Sequence, residues 1–472
     1  MVGASSGVAA LCCVPTSIKE QNMATPVTTA APSTPATSRR EQRRVLTATL
    51  VGTTVEWYDF LIYANAAAII FAAQYFGPLG EENPQFAQIL SYASIGISFF
   101  FRPLGAILAG WVGDRFGRRM VLMLTLGLMG LATTLIGLLP TFAVLGIWAP
   151  VLLVLLRVLQ GISAGGEWGG AALLAVEHAP RNRRGLFGAY PQIGVPLGML
   201  LATGVLGLVS LLLDDAQFTA WGWRVPFLVS FLLIFVGFYI RRKVAESPVF
   251  EELKDKGKAR APLRQLLGRD FGTVLKAALA FAGNNAAGYM IAGGFILGYT
   301  TTTLELSREL MLLIITVASI SWIFTTLLSG SLSDRIGRRP TYLIGYGLQL
   351  VWVVPMFLFI DTANPWLILF AVLVFTVSIG LTYGLQSAMF AEMFPSTVRL
   401  SGVSISYALG AIIGGAFSPM IAQLLVGQTG WLGSVGIYLM VMAVVSIIAV
   451  LRIGETRGAP LTPAEETAAS GA

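Results

Sequence analysis

Histidine and cysteine are almost absent from this chain of 472 residues. His178 stands alone, and Cys12 and Cys13 are neighbours in a polar stretch. Zinc sites, catalytic triads and disulfide frameworks each need several such side chains at set spacings, so none can be assembled here. Charge is scarce as well. Asp, Glu, Lys and Arg make up 12% of the chain, against about 25% in a soluble domain. Hydrophobic residues make up 55% and the mean hydropathy is +0.75. That balance predicts an all-α polytopic membrane protein and no enzyme, with no cofactor and no metal.

The few positive charges are not scattered. Lys and Arg gather at 39–44, 115–119, 181–184, 241–269, 335–339, 399 and 452–457, and only Arg224 and Arg308 fall on the other side of the apolar runs. A net charge of +7 could suit nucleic acid. This placement instead follows the positive-inside rule, which puts both termini in the cytoplasm of a multi-pass cell-membrane protein. Residues 1–38 are rich in Ala, Ser, Thr and Pro and offer too little apolar surface for a packed unit. Within them, the Val8–Val14 run is short for a signal peptide, and Met23 serves as a start as well as Met1.

Twelve apolar spans follow, near 45–74, 88–112, 120–139, 149–178, 186–213, 222–242, 272–300, 309–332, 340–360, 366–391, 400–426 and 431–452. The longest polar interruption, Lys243 to Arg269, divides them six and six. The expected plan is a disordered tail over 1–44, a six-helix bundle over 45–242, a central loop over 243–271, a second bundle over 272–452 and a tail over 453–472. The halves repeat. Gly110-Trp-Val-Gly-Asp-Arg-Phe-Gly-Arg-Arg119 returns as Gly330-Ser-Leu-Ser-Asp-Arg-Ile-Gly-Arg-Arg339, offset by 220. Glu177, Pro180 and Arg184 return as Glu392, Pro395 and Arg399, offset by 215, and Gly194 and Gly198 as Gly410 and Gly414, offset by 216. Parallel repeats of this kind place a solute site between two halves.

The fourth span carries Arg157, Gln160 and Glu167 on one stripe, with Gly165, Gly166 and Gly169 on the other side. Charges inside a bilayer face partners or a water-filled pathway, which makes the chain a transporter. Glu56 and Asp59 in the first span join Arg102 and Arg157 at the same depth. Three acids against two bases leave one acid without a counter-charge, as a proton carrier requires; Asp59, Glu56 and Glu167 are all candidates. Arg157 and Arg102 present planar forks suited to a carboxylate, or they only neutralise the acids. Gln160, Tyr63, Asn284, Asn285, Tyr289, Tyr383, Gln386 and Tyr407 add donors and acceptors for hydroxyl groups. The doubled loops, Asp114, Arg115, Gly117 and Arg118 with Asp334, Arg335, Gly337 and Arg338, are expected to latch the cytoplasmic side together with Glu177, Arg184, Glu392 and Arg399. Gly161 to Gly170 lacks the Lys-Ser/Thr of a phosphate loop, His178 is expected as a structural histidine, and Trp57, Tyr58 and Trp168 serve as packed or interfacial aromatics unless they cage a quaternary amine.

The doubled motif, the six-plus-six plan and Arg157-Val-Leu-Gln-Gly161 resemble the major facilitator superfamily. Gly52-Thr-Thr-Val-Glu-Trp-Tyr-Asp-Phe60, Phe101-Arg-Pro-Leu-Gly105, Gly165-Gly-Glu-Trp-Gly-Gly170 and Trp221-Gly-Trp-Arg-Val-Pro-Phe227 resemble its metabolite:proton symporters, and the block from Trp148 to Glu177 with Asp215 to Arg224 is most similar to the shikimate permeases. The resemblance implies a monomeric twelve-helix symporter that imports protons with a small organic acid such as shikimate. Di-/tricarboxylates of the 2-oxoglutarate or citrate type, or the osmolytes proline and betaine, are the alternatives within the class. A membrane sensor that has lost transport would carry an added soluble domain, and a channel would not need two latched halves.

Overall fold

The computed structural model describes residues 39–80, 84–116, 118–165, 167–241, 268, 270–396 and 398–461. The central loop falls almost wholly outside the described residues, as do 1–38 of the first tail and 462–472 of the last. Among the described residues there is no strand. The first half holds α1 (Arg39–Ala66), α2 (Pro84–Phe116), α3 (Arg118–Leu138), α4 (Trp148–Ala164), α5 (Glu167–Glu177), α6 (Arg184–Leu212) and α7 (Val225–Arg241). The second holds α8 (Phe271–Ala292), α9 (Phe295–Thr302), α10 (Arg308–Ile336), α11 (Arg338–Asp361), α12 (Pro365–Tyr383), α13 (Gln386–Met393), α14 (Arg399–Gly414), α15 (Ser418–Thr429) and α16 (Gly433–Arg452). Helices are the form that apolar runs of this length must take in lipid, because every backbone N–H and C=O has to be satisfied within the segment. Among the described residues nine helices are long and apolar enough to cross a membrane, and Met123–Leu138 and Gly222–Val236 are shorter apolar ones. With α8 and α9 they make twelve passages. Leu211, Phe324, Val351 and Trp366 stand exposed on the outside, which is the perimeter a bilayer covers.

The two halves are wired alike. In the first, α1 packs on α6, α2 on α4, and α3 on α7; in the second, α8 packs on α14, α10 on α12, and α11 on α16. These are the same passages of each six. The halves meet where α6 lies against α10 and where α2 lies against α14 and α15.

Three passages are broken among the described residues: the seventh between α8 and α9, the tenth between α12 and α13, and the eleventh between α14 and α15. The first passage stays continuous but loosens into a π-turn over Ala67–Phe71. The fourth span, expected as one helix with Arg157 and Glu167 on one stripe, runs as a single apolar passage over Trp148–Glu177 with a turn at Gly165; α5 is described from Glu167, and Gly166 lies outside the described residues. Glycine makes the turn inexpensive and serves packing, since a Cβ on Gly161 would fall on the Ser98 carbonyl and one on Gly165 on the Arg102 carbonyl. Gly294 adopts φ +77°, open to glycine at little cost, where the chain runs against Ala64 and Ala68. Residues 39–44, expected as the end of a disordered tail, form the first turns of α1. Their arginines are good helix formers and extend the apolar helix toward its basic end.

Candidate functional site

A narrow cavity of about 20 Å³, room for about one water, lies between the halves. Its walls come from Trp57 of α1, Asn284, Asn285 and Tyr289 of α8, Trp322 of α10, Tyr383 of α12 and Tyr407 of α14, with Val195, Phe281, Gly288 and Ala292 between them. No lining side chain carries a formal charge. Trp57 Nε1, Asn285 Nδ2, the Tyr289 hydroxyl and Trp322 Nε1 are buried and have no hydrogen-bond partner among the described residues. A buried donor left unpaired costs about 1–3 kcal/mol. Four around one cavity are a wall made to be completed by what enters it. Asn284 is different, because its Nδ2 donates to the Ile379 carbonyl at 3.0 Å and the Thr382 hydroxyl at 2.6 Å, so it ties α8 to α12.

Beside this wall lie the arginines. The Arg102 guanidinium carbon sits 4.4 Å from the Phe99 ring centroid and 5.5 Å from that of Phe60, and Arg157 sits 4.3 Å from Phe60 and 3.9 Å from Tyr63. Phe60 and Phe99 in turn stand edge-on to Tyr289, at 5.9 Å and 5.4 Å. Phe60 therefore stands between Arg157 and the cavity, whereas Arg102 reaches the wall itself, 5.8 Å from the Trp57 ring centroid and beside the Tyr407 hydroxyl. Cation–π contacts hold the guanidinium groups while leaving N–H donors free. Arg157 Nη1 donates to Gln160 Oε1 at 2.7 Å, but its Nε and Nη2 have no partner among the described residues. Gln160 Nε2 donates to the Thr133 hydroxyl at 2.8 Å, and the Tyr63 and Ser94 hydroxyls pair at 2.7 Å.

Asp59 is 1% exposed, beside Thr133, Ser230 and the Glu56 carboxyl. Thr133 and Ser230 offer its carboxyl hydrogen bonds, and among the described residues its Oδ1 is left without a close partner and no ion pair includes it. Glu56 and Glu167 are also buried. Thus Asn284, Asn285 and Tyr289 line the cavity, while Arg102, Arg157, Gln160 and Tyr63 form a group beside it. Gln386 is also off the cavity: its Oε1 accepts from Gln192 at 3.3 Å, and Gln192 Oε1 accepts from Trp168 Nε1 at 2.9 Å. The Trp168 ring stacks on Tyr407 at 3.7 Å. The Tyr58 hydroxyl donates to the Pro226 carbonyl and a His178 ring nitrogen meets the Leu174 carbonyl, so both have local structural partners.

The halves are tied at both ends of the cavity. At the basic end, Asp334 accepts from the backbone N–H of Gly185 at 2.8 Å and of Leu186 at 2.9 Å, the first turn of α6. Two N–H donors and the helix dipole converge on one carboxylate. Glycine lets the helices come this close, since a Cβ on Gly330 would meet the Gly185 carbonyl at 2.6 Å. Arg338 joins Asp334 at 2.8 Å and grips Glu392 through Nε and Nη2 at 3.0 Å and 3.2 Å. Arg184 is 3.9 Å from Glu392, and Arg399 is 3.9 Å from Glu177. Gly337, at φ +107°, makes the turn into α11, and the Arg335 carbonyl accepts from Arg457 Nη1 at 2.7 Å. In the first copy of the motif, Gly117 lies outside the described residues, and so do the side chains of Asp114, Arg115 and Arg118. At the opposite end, Arg308 donates to Ser210 at 2.6 Å and Asp215 at 2.9 Å and lies 3.7 Å over the Phe218 ring, joining α10 to the first half.

Sequence reasoning passed over several of these residues. Trp322 gave no signal, being one more aromatic in an apolar run, and Trp57 was weighed only as packing or a cation cage. Glu455 looked like tail, yet its carboxylate accepts from the backbone N–H of Arg338 and Arg339 at 2.8 Å and 3.1 Å, capping α11.

Comparison with known proteins agrees with this architecture. The profile of the Major Facilitator Superfamily matches residues 49–406 and 284–471. The chain is 36% identical over 431 residues to the shikimate transporter of Escherichia coli (strain K12), covering 88% of this chain and 95% of that protein. It is 40% identical over 433 residues to the inner membrane metabolite transport protein YhjE of the same strain, covering 90% and 96%. Among solved structures, the proton:xylose symporter XylE bound to 6-bromo-6-deoxy-D-glucose superposes with a TM-score of 0.73 at 18% identity, covering 91% of this chain and 99% of that one, a likeness of fold. The chain belongs to the major facilitator superfamily and is a multi-pass membrane transporter, not an enzyme.

Proposed function

We propose that this transporter is a proton-coupled symporter that imports a small hydroxylated organic acid, shikimate first, across the cytoplasmic membrane, as a monomer with both termini inside. One juxtaposition supports this reading: a cavity whose wall holds neutral donors unpartnered among the described residues lies beside Arg102 and one ring from Arg157, and the half that holds both arginines also holds a buried carboxyl, Asp59, with no ion pair among the described residues. The donors suit hydroxyl and carboxylate oxygens, and Arg102 and Arg157 supply the positive potential an anion needs. An unpaired intramembrane carboxylate costs at least about 2.5 kcal/mol, which protonation removes. Asp59 is the proton carrier in this reading, with Glu56 and Glu167 next. Asn285 and Tyr289 hold the solute, and the halves rock about it while the seam of Asp334, Arg338 and Glu392 opens. The similarity to a shikimate transporter supports the choice of first solute.

A second reading draws on the aromatic walls. Trp57, Tyr289, Trp322, Tyr383 and Tyr407 could also surround the cationic head of betaine. Uptake of labelled shikimate, oxoglutarate, citrate, proline and betaine by cells expressing the chain separates the two. Shikimate accumulation that collapses with a protonophore is expected. Betaine uptake without shikimate uptake, or sodium-dependent uptake that a protonophore leaves unchanged, overturns the proposal.

A further inference from the structure

We infer that Trp57 and Trp322 are specificity-determining residues whose indole N–H groups hydrogen-bond oxygen acceptors on the transported solute, one from each half. The inference rests on the organic-acid reading and names the chemistry by which that site selects. Trp57 is 4% exposed and Trp322 3%, both line the cavity, and both keep Nε1 without a partner among the described residues. Buried indole N–H groups find partners in nearly all folded proteins. Trp168 donates to Gln192 at 2.9 Å and Trp352 to the Ala371 carbonyl at 2.9 Å, whereas Trp223 Nε1, packed among Phe71, Tyr75 and Phe227 away from the cavity, is likewise without a partner among the described residues. Of the three unpaired buried indoles, the two that line the cavity come from α1 and α10, one from each half, where an acceptor on a solute can reach them. Indole N–H is a donor only, so it rewards carboxylate, hydroxyl and carbonyl oxygens and does nothing for a quaternary ammonium, which binds the ring face instead.

Because the two indoles belong to different halves, a solute with acceptors at opposite ends bridges the halves. That solute stabilises the closed arrangement in which both bonds are made. A solute with oxygens at one end only satisfies one indole and leaves the other buried and unpaired. The site thus prefers a carboxylate carrying ring hydroxyls over a carboxylate on a bare hydrocarbon ring. It discriminates by leaving a donor unsatisfied, the strongest form of rejection available to a neutral site.

Trp→Phe keeps a ring face and removes the N–H. In vesicles holding the purified full chain, Trp57→Phe and Trp322→Phe should each raise the KM for shikimate about tenfold, the value of one hydrogen bond to a charged or strongly polar acceptor, with maximal rate little changed. Each should also narrow the preference for shikimate over cyclohexene carboxylate, which lacks the hydroxyls, if its indole reads the hydroxyl end, and at least one of the two must do so. Replacement of either Trp by benzothienylalanine, isosteric but without the N–H, guards against a packing defect and should reproduce the Phe variant. Wild-type KM in both benzothienylalanine variants would overturn the inference and leave the organic-acid reading standing. Failure of that reading is seen separately, as a wild-type protein that takes up betaine or proline and no organic acid.

Discussion

The two halves share one wiring but bring different chemistry to the region around one cavity. α1, α2, α4 and α5 bring Glu56, Asp59, Arg102, Arg157 and Glu167, all buried. α8, α10 and α12 to α14 bring Asn284, Asn285, Tyr289, Trp322, Tyr383, Gln386 and Tyr407, all neutral. A buried charge is costly in a bilayer and is kept where its energy changes during a cycle, whereas a neutral donor is a cheaper way to recognise a shape. The difference teaches a division of labour: the first half carries the charges, and with them the machinery that responds to protons, while the second supplies most of the neutral groups that read the solute, joined from the first by Trp57. The repeats share their helix packing and differ in the polar residues near the cavity.

Substitutions test that division. The largest effect is expected from Asp59→Asn, which holds the acid in its uncharged form. Net accumulation of shikimate should vanish while exchange of internal for external shikimate persists, because exchange moves no net proton. Accumulation against a gradient in this variant would move the proton to Glu56 or Glu167. Arg157→Lys keeps the charge but loses the planar fork, the bond to Gln160 and much of the ring contact, so apparent affinity should fall about tenfold in an uptake assay. Wild-type affinity would mean that Arg157 serves packing alone.

In the second half, Asn285→Ala removes a donor that has no partner among the described residues. A rise in KM of about fivefold with the proton-to-solute ratio unchanged is expected, the pattern of a reading residue. A changed ratio would break the division between halves. The smallest effect on binding belongs to Asp334→Asn, at the seam and away from the cavity. Asparagine retains one acceptor for the α6 N-terminus but loses the charge that Arg338 meets, so the rate should change severalfold while equilibrium shikimate binding stays within about twofold.

The fold was legible in the chain because it rests on long-period signals. Twelve apolar runs, basic loops between alternate pairs and three repeats at near-equal offsets leave one architecture. The helix breaks were not legible, because glycine pairs inside apolar runs, such as Gly293–Gly294, look like small-residue packing faces until the neighbouring helix is in place. The polar residues of the site were easier to name than its aromatic ones. Asn285 stands out in an apolar span, whereas whether Trp322 is core or cavity depends on an Nε1 partner that sequence does not reveal. Arg157 and Asp59 could be placed at one depth by counting, but the ring layer of Phe60, Phe99 and Tyr289 beside the arginines arises from three helices folded together.

The central claim is that solute and proton move together. The most direct measurement is the external pH of lightly buffered, de-energised vesicles holding the purified chain when shikimate is added. The account predicts an immediate alkalinisation in wild type, as protons enter with the solute, and none in Asp59→Asn. Shikimate entry into wild-type vesicles with no pH change would contradict it.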